Sequence, residues 1–458
     1  MSVEAIMKVE AGVKAETVVN AETVVNAEAG MVECDILVIG AGPAGSTAAA
    51  LLAERGHDVV LVEKSRHPRF HIGESLLPRN TELLDKLGIT EQVKGIGTHK
   101  PGAEFVSDAT GQEVQFSFAH GLDKRFTSSW QVPRAQFDEI LFDTAEARGA
   151  RTFQETRVVD VTYAAGGRAT VVAEQGGETV RFAPRYVLDA SGRDSFMANR
   201  LGSKTANKKN NTAAVYAHYR GAEFRTGERE GYISVHLAED GWFWMIPLPD
   251  GVMSVGFVGN ASVFKERHGT PAELLAARIA ASPTVSVRMR GAERISEVTG
   301  TGNYSYYAAN NGGDGYLMIG DAFGFLDPMF SSGVLLAMSS GELAADVAET
   351  WLRDPARGRV AARRMERTMR HAMARIGWLV YRINTPALRL LFMAPRNTFR
   401  MRDGIVSLLA GNLRGSWASV MPVFAFKTIY HGTSLLLRMG VQVAPKRVEV
   451  VGEMQAAE

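Results

Sequence analysis

The chain reads as α/β: a unit of alternating parallel strands and helices, interleaved with an antiparallel β-sheet and followed by a helical C-terminal region. Three observations predict this. Short apolar runs alternate with helical stretches over 33–90, strand-rich segments recur at 151–187 and 212–258, and beyond about 350 the sequence turns helical and rich in Met and Arg. The expected organisation is a disordered tail over 1–32, the α/β unit interleaved with the sheet over 33–345, and helices over 346–458. The sheet takes about 90–130 and 205–300.

The tail carries a tandem copy, Ala15–Asn20 and Ala21–Asn26, too short to bury a face by stacking. It lacks the pattern of a secretory signal or a transit peptide. At 458 residues, 46% hydrophobic and 22% charged, the chain buries a large core in two or three lobes. A formal net charge of +1 gives no electrostatic case for nucleic acid, and the arginines near 357–375 read as a solvated helix face before a docking surface for an acidic partner. The single cysteine, Cys34, excludes an intramolecular disulfide and a cysteine metal cluster, and fits a reducing cytoplasm. No metal site is expected. No run of eighteen apolar residues occurs, so no membrane span is expected; Ile376 to Ala394 is broken by Arg382, Asn384, Pro386 and Arg389.

The first element is the strand Asp35 to Gly40, followed by Gly40-Ala41-Gly42-Pro43-Ala44-Gly45-Ser46 and an alanine-rich helix. Strand, glycine turn and helix form the context in which G-x-G-x-x-G signals a Rossmann-like dinucleotide site. Gly40 permits the turn, Gly42 lets the backbone approach a pyrophosphate, and Gly45 lets helix and strand pack closely. The helix N-terminus then offers unpaired N–H groups to the anion. The second strand, Asp58 to Glu63, ends in a carboxylate 23 positions beyond Gly40, suited to ribose hydroxyls. This fingerprint leaves NAD and FAD both open. Later strands end at Asp189 in Asp-Ala-Ser-Gly, where the aspartate reads as structural, and at Gly320-Asp321.

Two further motifs carry a family resemblance. Trp242-Phe243-Trp244-Met245-Ile246-Pro247 reads as one strand of the sheet, its tryptophans on one face, with a hairpin turn at Leu248-Pro249-Asp250-Gly251. Phe325-Leu326-Asp327-Pro328-Met329-Phe330-Ser331-Ser332-Gly333 is a Pro-containing turn opening a helix, where Ser reads as an N-cap if the motif is taken alone. Together with the glycine loop they resemble the W-x-W-x-I-P and F-x-x-P-x-x-S-x-G motifs of the flavin-dependent halogenases, in the FAD-dependent monooxygenase superfamily. Gly73-Glu74-Ser75-Leu76-Leu77-Pro78 is similar to the family's G-E-S-x-x-P segment beside the flavin ring. His99-Lys100-Pro101-Gly102-Ala103-Glu104-Phe105 resembles the K-x-G-A-x-F segment of its phenol and pyrrole branch. The resemblance covers 33 to about 345.

The resemblance implies an FAD-binding Rossmann-like domain and an FADH2-dependent enzyme that uses O2 and installs chloride or bromide on an electron-rich aromatic. Its route runs through a flavin hydroperoxide to hypohalous acid, relayed to Lys100 as the catalytic residue. The implied cofactor-binding residues are Gly40, Gly42, Ala44, Gly45, Ser46, Glu63, Lys64, Arg134, Asp321 and Val334. Ser332 and Gly333 bind halide through the backbone, and Trp242, Trp244, Ile246 and Pro247 line the tunnel. For Arg134, an i,i+4 ion pair with Asp138 is the competing reading, and for Lys100 a solvated surface position. Implied partners are a separate NADH-dependent flavin reductase and a phenol or pyrrole, free or carried by a carrier protein. An FAD-dependent aromatic hydroxylase, a geranylgeranyl-reductase-like oxidoreductase and a flavin-binding relic without turnover are the alternatives. In the C-terminal region Phe392, Met393, Trp417, Met421, Phe424 and Phe426 are candidates to cover a substrate, or else core.

Overall fold

The computed structural model describes residues 30–441, apart from 164–167, 208–211, 266–268, 303–304, 414 and 416. The tandem copy of the tail lies outside the described residues. The first strand begins at Met31 and runs to Ile39, so residues 31 and 32 belong to the sheet. Its Ile36, Leu37 and Val38 are fully buried because parallel neighbours flank it on both edges: Val59–Val62 on one side and Glu178–Asp189 on the other. Tyr316–Met318 and Arg151–Phe153 extend the parallel set, and Thr156–Tyr163 and Ala169–Gln175 add an antiparallel flap.

Pro43–Glu54 starts with a proline at its first turn, where the missing N–H costs nothing. Its small side chains bring it close to the long helix Gly333–Arg353: a Cβ on Gly341 would overlap the Ala44 carbonyl oxygen. The two helices therefore enter the molecule side by side, both with their N-termini at the carboxyl ends of the parallel strands.

The second sheet runs Glu293–Arg294, Thr212–Arg220, Val252–Asn260, Gly241–Pro247, Ile233–Leu237, Gly102–Ser107, Glu113–Ser117, with Thr299–Thr301 also paired to Thr212–Arg220. It is antiparallel except for one pair: Gly102–Ser107 lies parallel to Ile233–Leu237. The chain between these strands passes back through the α/β unit, and a connection that long is free of the hairpin constraint that enforces antiparallel pairing. In the Trp hairpin, Asp250 and Gly251 both adopt positive φ (59° and 70°), as the turn residues require. The period of two then puts Trp242, Trp244 and Ile246 on one face and Phe243 and Met245 in a separate core on the other.

The expected break near 345 falls inside Gly333–Arg353, which is continuous because no Pro or capping Gly interrupts it. Asp354 then accepts the N–H groups of Ala356 and Arg357 and starts Pro355–Val380. Pro386–Met393, Met401–Leu409 and Trp417–Arg438 are the last helices among the described residues. Among the described residues no helix is long and apolar enough to cross a membrane.

Candidate functional site

The glycine loop, the Gly73–Ser75 segment, the turn at Ser331–Gly333 and the Trp strand enclose one cavity of about 520 Å³. Gly40 sits behind its wall at φ +97°, where a Cβ would lie 2.5 Å from the Ala190 carbonyl oxygen, and a Cβ on Gly45 would overlap the oxygen of Gly40. Neither position admits a side chain. Gly42 is different: it lines the cavity, and the nearest atom to an added Cβ is Arg69 Nη2 at 3.8 Å. Space is kept in front of the helix N-terminus, which has no side-chain cap. Pro43 and Ala44 line the cavity beside it. Ser46 does not; fully buried, its hydroxyl donates to Ala41 O at 3.1 Å and holds the loop.

Glu63 is on the wall and buried. One carboxylate oxygen accepts the Ala41 N–H (2.9 Å), the other the Ser65 N–H (3.0 Å), which leaves lone pairs for a ribose hydroxyl. Lys64, half-exposed, is ion-paired with Asp194 on the same wall. Arg134 makes the ion pair its spacing allows and also stands on the cavity wall. It makes a bidentate pair with Asp138 (2.8 and 3.0 Å), but the pair is buried and faces the cavity, and Nη1 also donates to Ile72 O at 2.7 Å. Burial pushes the Asp138 carboxyl up, yet Arg134 and Arg69 hold it below the ordinary range. Asp321, on the wall, is pushed up to about 6 by burial, against the lowering effect of Arg193 and Arg134. Asp189 is structural: it accepts the N–H groups of Ser191 and Met197 (2.9 and 2.8 Å).

At the other end, Asp327 caps its own turn by accepting the Met329 N–H (3.3 Å) and is held by Thr212 Oγ1 (2.9 Å). Ser331, at φ +55°, turns the chain into the helix. Ser332 is the N-cap residue, but its side chain makes no capping hydrogen bond, so the first-turn N–H groups have no side-chain acceptor. Ser331, Gly333 and Val334 line the cavity, and nothing lies within 4 Å of an added Cβ on Gly333. Ser332 itself is buried behind them and is not on the wall. Trp242, Trp244 and Ile246 also line the cavity, whereas Pro247, one residue further along the strand, belongs to the opposite face and is not on the wall.

Lys100 is buried, in a short strand paired with Ser129–Gln131, which excludes the solvated reading. It lies one residue behind the wall. Nζ donates to Ser75 Oγ (2.7 Å) and Leu76 O (2.8 Å) and stands 5.5 Å from the Phe118 ring centroid, and Ser75 is what reaches the cavity. Burial lowers its pKa from 10.5 to about 7.

Glu74 is legible in the sequence only as part of its motif, and its partner His218 escapes the sequence reading. Glu74, on the wall and buried, pairs with His218 Nε2 at 2.7 Å, while its Oε2 is buried and meets no donor among the described residues. Burial opposes charge on His218, but the hydrogen bond and charge of Glu74 raise its pKa. No motif carries His218, since it comes from a strand remote in sequence. Phe392 packs with Phe105 and Phe116 (ring centroids 4.8 Å from each) as core, and Met421 and Phe424 are exposed rather than over the cavity. No group of three or more His, Cys, Asp or Glu able to hold a metal occurs among the described residues.

An extended dinucleotide fits this cavity: a glycine-lined helix N-terminus at one place, a carboxylate at a second strand end, and a buried Arg and Asp further along. The FAD binding domain family matches residues 33–355. A tryptophan 2-halogenase of Chondromyces crocatus is 37% identical over 319 residues, covering 68% of this chain and 60% of that protein. A 1H-pyrrole-2-carbonyl-[peptidyl-carrier protein] chlorinase of Pseudomonas fluorescens is 30% identical over 337 residues, covering 68% of this chain and 75% of that one. Among solved structures, a flavoprotein/dehydrogenase from Cytophaga hutchinsonii superposes with a TM-score of 0.78 at 31% identity, covering 90% of this chain and all of its own. The match to the family, the motifs that fill the cavity wall and the extent of these relatives agree: the chain belongs to the flavin-dependent halogenases, in the phenol- and pyrrole-type branch of the FAD-dependent monooxygenase superfamily.

Proposed function

We propose that this chain is an FADH2-dependent halogenase that installs chloride or bromide on an electron-rich aromatic, a phenol or pyrrole, free or tethered to a carrier protein. A separate NADH-dependent flavin reductase supplies the reduced cofactor. The observation that carries the reading is the buried Lys100, one hydrogen bond through Ser75 from a cavity that is also lined by the uncapped helix start at Gly333 and Val334.

Bound FADH2 supplies, with O2, the oxidising equivalents that turn halide into hypohalous acid. Gly42, Ala44 and the N–H groups at the start of Pro43–Glu54 would hold its pyrophosphate, Glu63 its ribose, and Arg134 and Asp321 the flavin side. The N–H groups at Gly333 and Val334 hold the halide without a cationic side chain, so the anion keeps its nucleophilicity. Trp242, Trp244 and Ile246 keep bulk water and arene out of the oxidising end. Lys100, with a pKa of about 7, populates both ammonium and amine near neutrality. The ammonium donates a hydrogen bond that polarises hypohalous acid, and the amine is able to carry the halogen.

The test combines purified protein with FAD, a flavin reductase, NADH, O2 and bromide, offers phenols and pyrroles free and carrier-bound, and reads halogenated product by mass spectrometry. Product that disappears in Lys100→Ala while flavin reoxidation persists is the expected result. Hydroxylated product, or NADH consumption without the reductase, overturns it in favour of a hydroxylase or a reductase.

A further inference from the structure

The helix Trp417–Arg438 is apolar on both sides. One side, with Val423, Phe426 and Tyr430, is buried. On the other, Met421, Phe424, Leu435 and Met439 are 58%, 63%, 58% and 61% exposed, so these side chains protrude as a ridge instead of lining a groove. They recur at multiples of three and four residues and so share a face, interrupted only by small or polar positions such as Thr428 and Gly432. A helix hydrophobic all round is ordinarily covered all round.

The helix itself carries charges of one sign, Lys427 and Arg438. No Asp or Glu occurs in the sequence between Asp403 and Glu449. Arg382 and Lys427 stack on Trp378, 4.9 and 5.0 Å from its ring centroid, and Lys427 is lowered by burial and then by the neighbouring charges of Arg375 and Arg382. None of Arg375, Arg382, Lys427 or Arg438 has an ion-pair partner among the described residues, although arginines elsewhere in the molecule are widely paired. Beside Leu435 a cavity of about 320 Å³ is lined by Arg382, Tyr430, His431, Ser434, Leu435 and Arg438.

We propose that this helix docks the protein on an anionic lipid surface, with the apolar ridge at the acyl boundary and a headgroup phosphate in the cavity between Arg382, His431 and Arg438. Protruding Phe, Leu and Met with unpaired cations and no acid are the features by which an interfacial helix partitions onto anionic bilayers. A second copy of the chain is a poorer occupant: two-fold pairing of this face would set like charges against each other with no carboxylate to relieve them. The arrangement puts the protein on a membrane without crossing it, and it is independent of the chemistry in the flavin cavity.

Co-sedimentation of the FAD-loaded protein with vesicles of phosphatidylcholine, with and without phosphatidylglycerol, tests this. Partitioning onto the anionic vesicles is expected to exceed that onto neutral ones by more than about tenfold and to fall with salt. Phe424→Asp with Leu435→Asp lowers it by about tenfold or more, and Arg438→Gln by about fivefold, with FAD binding unchanged in each. The Gln variant keeps the test open if the Asp pair fails to fold. Inorganic phosphate competes weakly, because it offers no acyl boundary. Equal partitioning onto neutral and anionic vesicles overturns the proposal. So does a dimer in light scattering that Phe424→Asp converts to monomer, or capture of an acidic carrier protein in place of vesicles.

Discussion

Two helix N-termini open on the same cavity, and they differ in what stands around them. That of Pro43–Glu54 has Glu63 bonded to Ala41 just before it and Arg69 within reach, so it stands amid charges of both signs. That of Gly333–Arg353 has no acidic residue in its first turn, no side-chain cap, and indole and aliphatic groups on the same wall. A hydrated polyanion suits the first. The second, with bare N–H groups among apolar neighbours, suits a small anion that sheds water easily.

The comparison breaks most completely at Gly45. A Cβ there overlaps the Gly40 oxygen and forces strand and helix apart, so Gly45→Val is expected to abolish FAD binding, read by flavin absorbance of the purified protein, or to prevent folding. Next come two substitutions that both have room. Gly42→Ala and Gly333→Ala add a methyl to open space at the two N-termini. Gly42→Ala is expected to weaken FAD binding about tenfold with the KM for halide unchanged, and Gly333→Ala to raise that KM about tenfold with FAD affinity unchanged, the effect of displacing one charge-assisted hydrogen bond. Both effects appearing in either variant would mean the two ends are one site.

A third prediction uses Lys100. Its folded pKa of about 7 lies below 10.5, so between these values the unfolded chain binds more protons and stability rises with pH; below about 7 this contribution is lost and the difference levels off. Lys100→Met is expected to flatten that rise and to raise Tm near neutral pH, measured by thermal scans from pH 6 to 10. The smallest effect is at Lys64. Its pair with Asp194 is half in solvent, worth at most about 1 kcal/mol, and Lys64→Ala is expected to change FAD affinity less than about fivefold.

The local part of this site was legible because each of its pieces is a chain-contiguous device. A glycine turn between strand and helix, a carboxylate at the next strand end, and a two-residue alternation of Trp, Trp and Ile all follow from backbone geometry that sequence spacing encodes. The same periodicity misassigns Pro247 only if the motif is read as a block; counted by twos it belongs to the other face. The Ser46 hydroxyl, expected at the cofactor, is instead buried and donates to Ala41 O, because a hydroxyl in a tight turn competes for nearby backbone groups.

Sequence alone determined the α/β unit, the glycine loop and the Trp hairpin, since each depends on residues within a few positions of one another, whereas Lys100 was marked only by the resemblance of its segment to the family's K-x-G-A-x-F motif. Tertiary structure decided the rest: that Lys100 is buried behind Ser75, that Glu74 meets His218 from a strand remote in the chain, and that one pair of the second sheet is parallel. It also decided that Trp417–Arg438 has an uncovered face. The physical reason is common to all four. Burial and long-range pairing are set by which elements the whole core brings together, and neither leaves a period in the local sequence.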